Sequence, residues 1–189
     1  MITAFLNIAK IPELKRKVLF TLLMVIVVYR LGAHVPTPFI DPMKVREFFG
    51  DSFGNKGVFA VVNMFSGGAF SQMTIFALGI MPYISASIII QLLTAVWPPL
   101  EKIAKEGESG RKKITQWTRY GTVGLSLFQG FGLAVWLYSQ GLSMIDSKLG
   151  FYIITAMTMC TGTCFLMWLG EKITEHGIGN GISLIIAMG

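Results

Sequence analysis

Charged side chains are absent from three long stretches of this chain, 57–100, 120–145 and 149–170, and a fourth apolar stretch, 18–35, holds only Arg30 and His34 near its far end. A helix rises about 1.5 Å per residue, so about 20 apolar residues cross a hydrocarbon core of roughly 30 Å. The pattern predicts an all-α, polytopic membrane protein with spans at 18–35, 74–96, 120–142 and 149–170. A fifth apolar run, 182–189, begins another span but is too short to cross. Around these lie an amphipathic arm at 1–17, an outer loop at 36–56 carrying Pro36, Pro38 and Pro42, a basic loop at 97–119 and a polar turn at 171–181.

Stretch 57–100 is long enough for two crossings, and the basic residues decide between one and two. Short loops rich in Lys and Arg stay on the cytoplasmic side. Lys10, Lys15, Arg16 and Lys17 of the arm, Lys102, Lys105, Arg111, Lys112, Lys113 and Arg119 of the following loop, and Lys172 fall on one side if 57–100 crosses once. Lys44, Arg46, Lys56 and Lys148 fall on the other, with Arg30 at a boundary. One crossing therefore fits, with the N-terminus cytoplasmic, and 57–73 must do something else. Its Ser66-Gly67-Gly68 break, with Ser71 and Gln72 close behind, is poor helix chemistry, and bare backbone groups are not tolerated against lipid. The expectation is a short helical segment, a re-entrant helix, that enters from the outer side and turns back at 66–68 inside a protein-lined or wet cavity. An outer-surface loop with a short interfacial helix is the alternative.

Composition sharpens the class. Of 189 residues 53% are hydrophobic and only 14% charged, with a mean hydropathy of +0.62; soluble domains carry about 25% charged residues. The net charge of +6 punctuates apolar runs instead of covering one polar face, which argues against nucleic-acid binding. Cys160 and Cys164, the only cysteines, lie one helical turn apart in an apolar run and read as packing residues. Residues 12–17 are polar and precede the first apolar run, which is not the order of a cleaved signal peptide, so the first span is expected to be retained.

Few positions carry candidate chemistry. Ile80 and Ile84 flank Met81-Pro82-Tyr83 and share one helix face four residues apart. Beneath a cavity they could form a hydrophobic constriction, with Pro82 bending the helix at that level, or they could be ordinary core or lipid-facing residues. Gln91 and Gln129, isolated amides in neighbouring spans, should find partners, either in a structural bond between helices or in a polar seam that opens. The 102–113 segment reads as a solvated topogenic loop. GIGNG at 177–181 follows a membrane helix and lacks the strand a dinucleotide site needs. His34 and His176 fall on opposite sides, and Glu171 and Glu175 stand one turn apart on a cytoplasmic edge, so no catalytic or metal-binding group forms. Ion-coupled transporters bury ionisable residues at the midplane; here the spans offer none but Arg30, which favours a passive pore.

FSGGAFSQMTIFALGIMPYISASIIIQLLT (65–94), KEGESGRKKITQWTRYGT (105–122), GTCFLMWLGEKITEHGIGNGISLII (162–186) and IPELKRKVLFTL (11–22) resemble the SecY family, channel subunits of the bacterial protein translocase. The resemblance covers nearly the whole chain and only the N-terminal part of a ten-span family. It implies a plug formed around Asn63, Met64, Phe65, Ser66, Gly67, Gly68, Ala69, Phe70 and Ser71. It implies pore-ring positions at Ile80, Ile84, Ile182 and Ile186, and one side of a lateral gate at Ser85, Gln91 and Gln129. It also implies a non-enzymatic, cofactor-free polypeptide channel in the bacterial plasma membrane. The expected partners are SecE, SecG, the motor ATPase SecA, the ribosome, secretory chains with signal sequences, and anionic lipids. A small-solute transporter and a poreless membrane scaffold are the competing readings of the residues alone.

Overall fold

The computed structural model describes residues 12–49, 61, 63–64 and 66–188. Arm residues 1–11, loop residues 50–56, positions 57–60 and 62, Phe65 and Gly189 lie outside the described residues. Among the described residues the chain is helical, with isolated bridges and no strand.

The first rod combines α1 (Pro12–Leu22), a π-helical stretch (Leu23–Tyr29) and α2 (Arg30–Gly32). Leu22, Tyr29 and Arg30 keep right-handed helical angles, so the rod is unbroken at its joints. The wider winding falls on the β-branched run Val25-Ile26-Val27-Val28, whose side chains crowd a regular α-helix. Helix α3 (Pro42–Phe48) starts where Asp41 caps it, its carboxylate accepting from the backbone N–H of Met43 at 3.0 Å and Lys44 at 3.4 Å, with Pro42 in the first turn.

Helix α4 (Met81–Val96) begins seven residues later than the expected span at 74–96, and 66–80 is a succession of turns. Pro82 sits in the first turn of α4, where its missing N–H costs nothing, so it opens the helix instead of bending it as expected. At Trp97 the path bends by 100° into α5 (Pro98–Lys105). The cause is local, because the residue before a proline is pushed out of the helical region, and Trp97 is extended at φ −100°, ψ 108°.

Helices α6 (Glu108–Ser139) and α7 (Lys148–His176) are both long and apolar enough to cross a membrane, and α4 with α5 would count as a third, broken span. Much of the region expected as a basic loop is thus helical, consistent with its Lys, Arg, Glu and Gln content. The two long helices run antiparallel. Ser126 Oγ lies 3.1 Å from Cys160 Sγ, the backbone of Ala156 would crowd a side chain at Gly130, and Arg119 grips Glu171 at one end. The α6 face that makes this seam is Thr118, Thr122, Ser126, Gly130 and Ala134, small residues at every fourth position that let the backbones approach. Phe128 (79% exposed), Leu149 (71%) and Leu31 (67%) stand on outer faces, an arrangement suited to lipid. Finally α8 (Gly181–Met188) leaves α7 after a short turn and folds back against it, with the Gly170 carbonyl where a side chain at Gly181 would go.

Two apolar clusters stack along this bundle. One, near the Ser139 end of α6, contains Ile40, Val45, Phe49, Phe70, Met73, Leu137 and Phe151. The other, towards the end that bears Arg119 and Glu171, contains Val25, Tyr29, Phe76, Ile80, Leu166, Ile173 and Ile185. The turns between α3 and α4 pass from one cluster to the other.

Candidate functional site

The Ser-Gly-Gly break folds as a tight, self-bonded knot. Gly67 and Gly68 are consecutive left-handed residues at φ 63° and 80°, which glycine alone adopts without cost. Gly68 has open space around it, so backbone angle and not crowding demands glycine there. Around them the Gly68 N–H donates to the Asn63 carbonyl at 3.0 Å, and Ser66 Oγ donates to the same carbonyl at 3.1 Å while accepting from the Phe70 N–H at 3.1 Å. The Ser71 N–H donates to Asn63 Oδ1 at 3.0 Å and Ser71 Oγ to the Gly68 carbonyl at 2.9 Å. Asn63, Ser66 and Ser71 thus serve the backbone, as an unwound segment among apolar neighbours requires, whereas Gln72 is exposed.

The exit of the knot is clamped to the loop after the first rod. The Thr37 N–H donates to the Met73 carbonyl and the Ile75 N–H to the Val35 carbonyl, both at 3.0 Å. Met73 is held in the left-handed region at φ 45°, a conformation that costs a non-glycine residue about 1–2 kcal/mol. The Ile75 carbonyl then presses on Gly162, where a Cβ would overlap it. Gly162 is the midpoint of the 29-residue α7, about 20 Å from either end. Non-helical backbone is therefore held half-way along a helix long enough to cross a membrane.

Phe76 anchors the same level. Its ring lies over Gly32, stacks on Tyr29 with centroids 6.1 Å apart and on Phe165 at 6.0 Å, each pair within 10° of parallel. Tyr29 OH reaches the Ser66 carbonyl at 3.4 Å. Sequence reasoning singled out none of these three rings. A tyrosine inside an apolar run was the one available signal.

The four isoleucines come together. Ile80, 2% exposed, ends the turns and precedes α4; Ile84 lies one turn on, and Ile182 and Ile186 approach from α8. All four belong to or pack against one apolar cluster, with Tyr83 and Ile185 among them. The amides behave differently. Gln91 is exposed and donates from Nε2 to Ser87 Oγ of its own helix at 3.1 Å, not across to Gln129 on α6. Ser85 is half-buried on α4.

Polar chemistry collects at the end of the bundle. Arg119 binds Glu171 with two hydrogen bonds, Nε to Oε1 at 2.9 Å and the guanidinium to Oε2 at 2.7 Å. One turn on, Lys172 donates to Glu175 at 2.7 Å, and that bond and charge hold the Glu175 carboxyl below its usual range. His176 lies 3.7 Å from Glu175 and 6.1 Å, ring to ring, from Phe20. His34 Nδ1 lies 2.7 Å from the Arg30 carbonyl of its own rod. Cys160 is buried against α6, and no group of three or more His, Cys, Asp or Glu among the described residues could hold a metal ion.

These features define a class: a polytopic α-helical membrane protein in which an unwound segment and four isoleucines pack into the apolar interior of the bundle. The SecY family model matches residues 74–189, and the chain belongs to the SecY family. Relatives named protein translocase subunit SecY include that of Streptomyces coelicolor, 50% identical over 98% of this chain and 44% of the relative, and that of Escherichia coli K12, 53% identical over 94% and 40%. The chain spans less than half the length of these relatives. Two solved structures share the fold at a TM-score of 0.60 and 22% identity, covering 93% of this chain and 36% of theirs. They are Sec61 in the canine ribosome–channel complex from the endoplasmic reticulum and a protein-conducting channel.

Proposed function

We propose that this chain is the N-terminal part of a polypeptide-conducting channel subunit, non-enzymatic, in the bacterial plasma membrane with its N-terminus cytoplasmic. Unfolded secretory chains pass an isoleucine constriction made by Ile80, Ile84, Ile182 and Ile186 together with residues of the remaining spans. The segment 63–71 is the plug, and α4 and α6, with Ser85, Gln91 and Gln129, form one side of a gate through which apolar helices leave sideways. What supports this above all is one apolar cluster that joins Ile80 at the head of α4, Ile84 on α4, and Ile182 and Ile186 on α8 to Ala69 of the self-bonded, unwound segment. A dry ring of that kind seals by excluding water and yields to a passing chain without binding it.

We infer as partners SecE and SecG as companion subunits, SecA as motor, and the ribosome; in support, the relatives are named as subunits of a translocase and the canine Sec61 channel is found with a ribosome. Anionic lipids suit the cationic 102–113 segment.

The test is contact with cargo. A secretory chain stalled in the full-length translocase should crosslink to photoreactive groups at positions 80 and 84 at least several-fold more than to one at Phe128. Phe128 is on the face of α6 opposite Ser126 and Gly130. Equal labelling at all three positions removes the constriction reading.

A further inference from the structure

The knot formed by 63–64 and 66–71 is fastened to its surroundings unequally. Its base is held by two backbone hydrogen bonds of 3.0 Å, Thr37 to Met73 and Ile75 to Val35, and by the close approach of Ile75 to Gly162. Its tip is a closed set of bonds among Asn63, Ser66, Gly68 and Ser71. From the first rod the tip receives the Tyr29 hydroxyl, which donates to the Ser66 carbonyl at 3.4 Å, long for a bond between oxygens and therefore weak.

We propose that Tyr29 is the latch of this segment: its hydroxyl holds the knot down in the resting state and lets go when the knot swings as a unit about Met73. The inference deepens the plug reading and rests on it. Three observations carry it. Tyr29 is 4% exposed, and its ring is fixed by stacking on Phe76, so the hydroxyl is aimed and not adrift. It is the last residue of the π-helical stretch Leu23–Tyr29, and such wide turns cost helix stability and recur at functional sites. Met73 already occupies left-handed backbone, a joint from which relaxation into the broad extended region is downhill. Beside the burial of Phe70, which packs edge-on against Phe49, a single long bond suits a trigger, since it biases the closed state without fixing it. Tyr29 is thus a positioning residue that touches no cargo in the closed state.

The experiment compares four forms of the full-length channel in planar bilayers without cargo: the parent, Tyr29→Phe, a deletion of 63–72, and both changes together. Tyr29→Phe keeps the ring on Phe76 and removes only the donor. The expected result is a resting ion conductance raised about two- to tenfold by Tyr29→Phe, the loss of one neutral hydrogen bond. The deletion should raise it further, and the double form should match the deletion alone. If the deletion leaks and Tyr29→Phe does not, the latch is wrong and the plug stands. If Tyr29→Phe raises conductance equally with and without 63–72, the hydroxyl acts elsewhere and the latch is again wrong. If the deletion itself leaves conductance unchanged, the plug reading falls and the latch with it.

Discussion

At the level of single residues, glycines separate into those needed for angle and those needed for space. Gly67 and Gly68 were legible as a break because two adjacent glycines cannot hold a helix among apolar neighbours. Gly162 was not, since nothing in its own surroundings says that Ile75 will press on it from 87 positions away. The two kinds respond differently to a methyl group. Gly162→Ala pushes a Cβ into the Ile75 carbonyl and should destabilise the protein by about 1–3 kcal/mol, as overpacking does. Gly132→Ala, in α6 with open space around it, should be neutral or stabilising by up to about 1 kcal/mol, because alanine is the better helix former. Thermal unfolding of both variants in detergent decides; similar midpoints would mean that α7 does not pack on the turn. Tyr29 illustrates the same blindness to distant partners, reaching a carbonyl in another element, whereas the four-residue spacing of Ile80 and Ile84 is a local property, and the Ile84 N–H does donate to the Ile80 carbonyl at 3.1 Å.

Among elements, the two long apolar helices were legible and boundaries were not, while α3 and α5 lie in stretches expected as loops and 66–80 is turns where a re-entrant helix and the start of a span were expected. The apolar run 149–170 lies within α7, and α6 takes in 120–139 of the run expected at 120–142, but both helices extend into charged sequence, since lipid sets where apolar residues must be and not where hydrogen bonding stops. Proline chemistry set two further ends: Pro82 starts α4, and the Trp97-Pro98 pair turns α5 away by 100°. Along α5 the exposed pair Glu101 and Lys105, one turn apart at 2.6 Å, supports this short element. The Lys105 hydrogen bond, and then its charge, hold the Glu101 carboxyl below its ordinary 4.5. A carboxyl depressed by folding stabilises above its unfolded value and loses that contribution as pH falls through the folded one. Protection of the α5 amides relative to the intrinsic exchange rate, which itself slows in this range, should therefore fall as pH drops below about 4.5, and Lys105→Met should abolish that fall and return the Glu101 titration towards 4.5. A Glu101 titration unmoved by that change would show the pair to be absent in solution.

For the whole molecule, membrane sidedness ties every local reading together. Charge counting required 57–100 to cross once, and the fold offers a means: turns to mid-depth, then the 16 residues of α4, about 24 Å of helix, to complete the passage. The consequence can be stated on α6 alone. Lys44 Nζ lies 3.5 Å from the Gly141 carbonyl, just past one end of that helix, whereas Lys112 sits in the second turn at its other end. The 32 residues of α6 hold these two exposed lysines about 40 Å apart, more than a hydrocarbon core. With Cys160 and Cys164 replaced by serine, single cysteines at 44 and 112 in intact cells should differ cleanly towards a membrane-impermeant maleimide. Position 44 should be labelled from outside, and position 112 only after permeabilisation. Labelling of both from outside would mean that α6 does not cross and that the turns at 66–80 lie at a surface, where neither a plug nor a dry ring would have a purpose. The opposite pattern would keep the bundle and invert it, turning the cationic segment outwards and leaving it no anionic cytoplasmic leaflet to face.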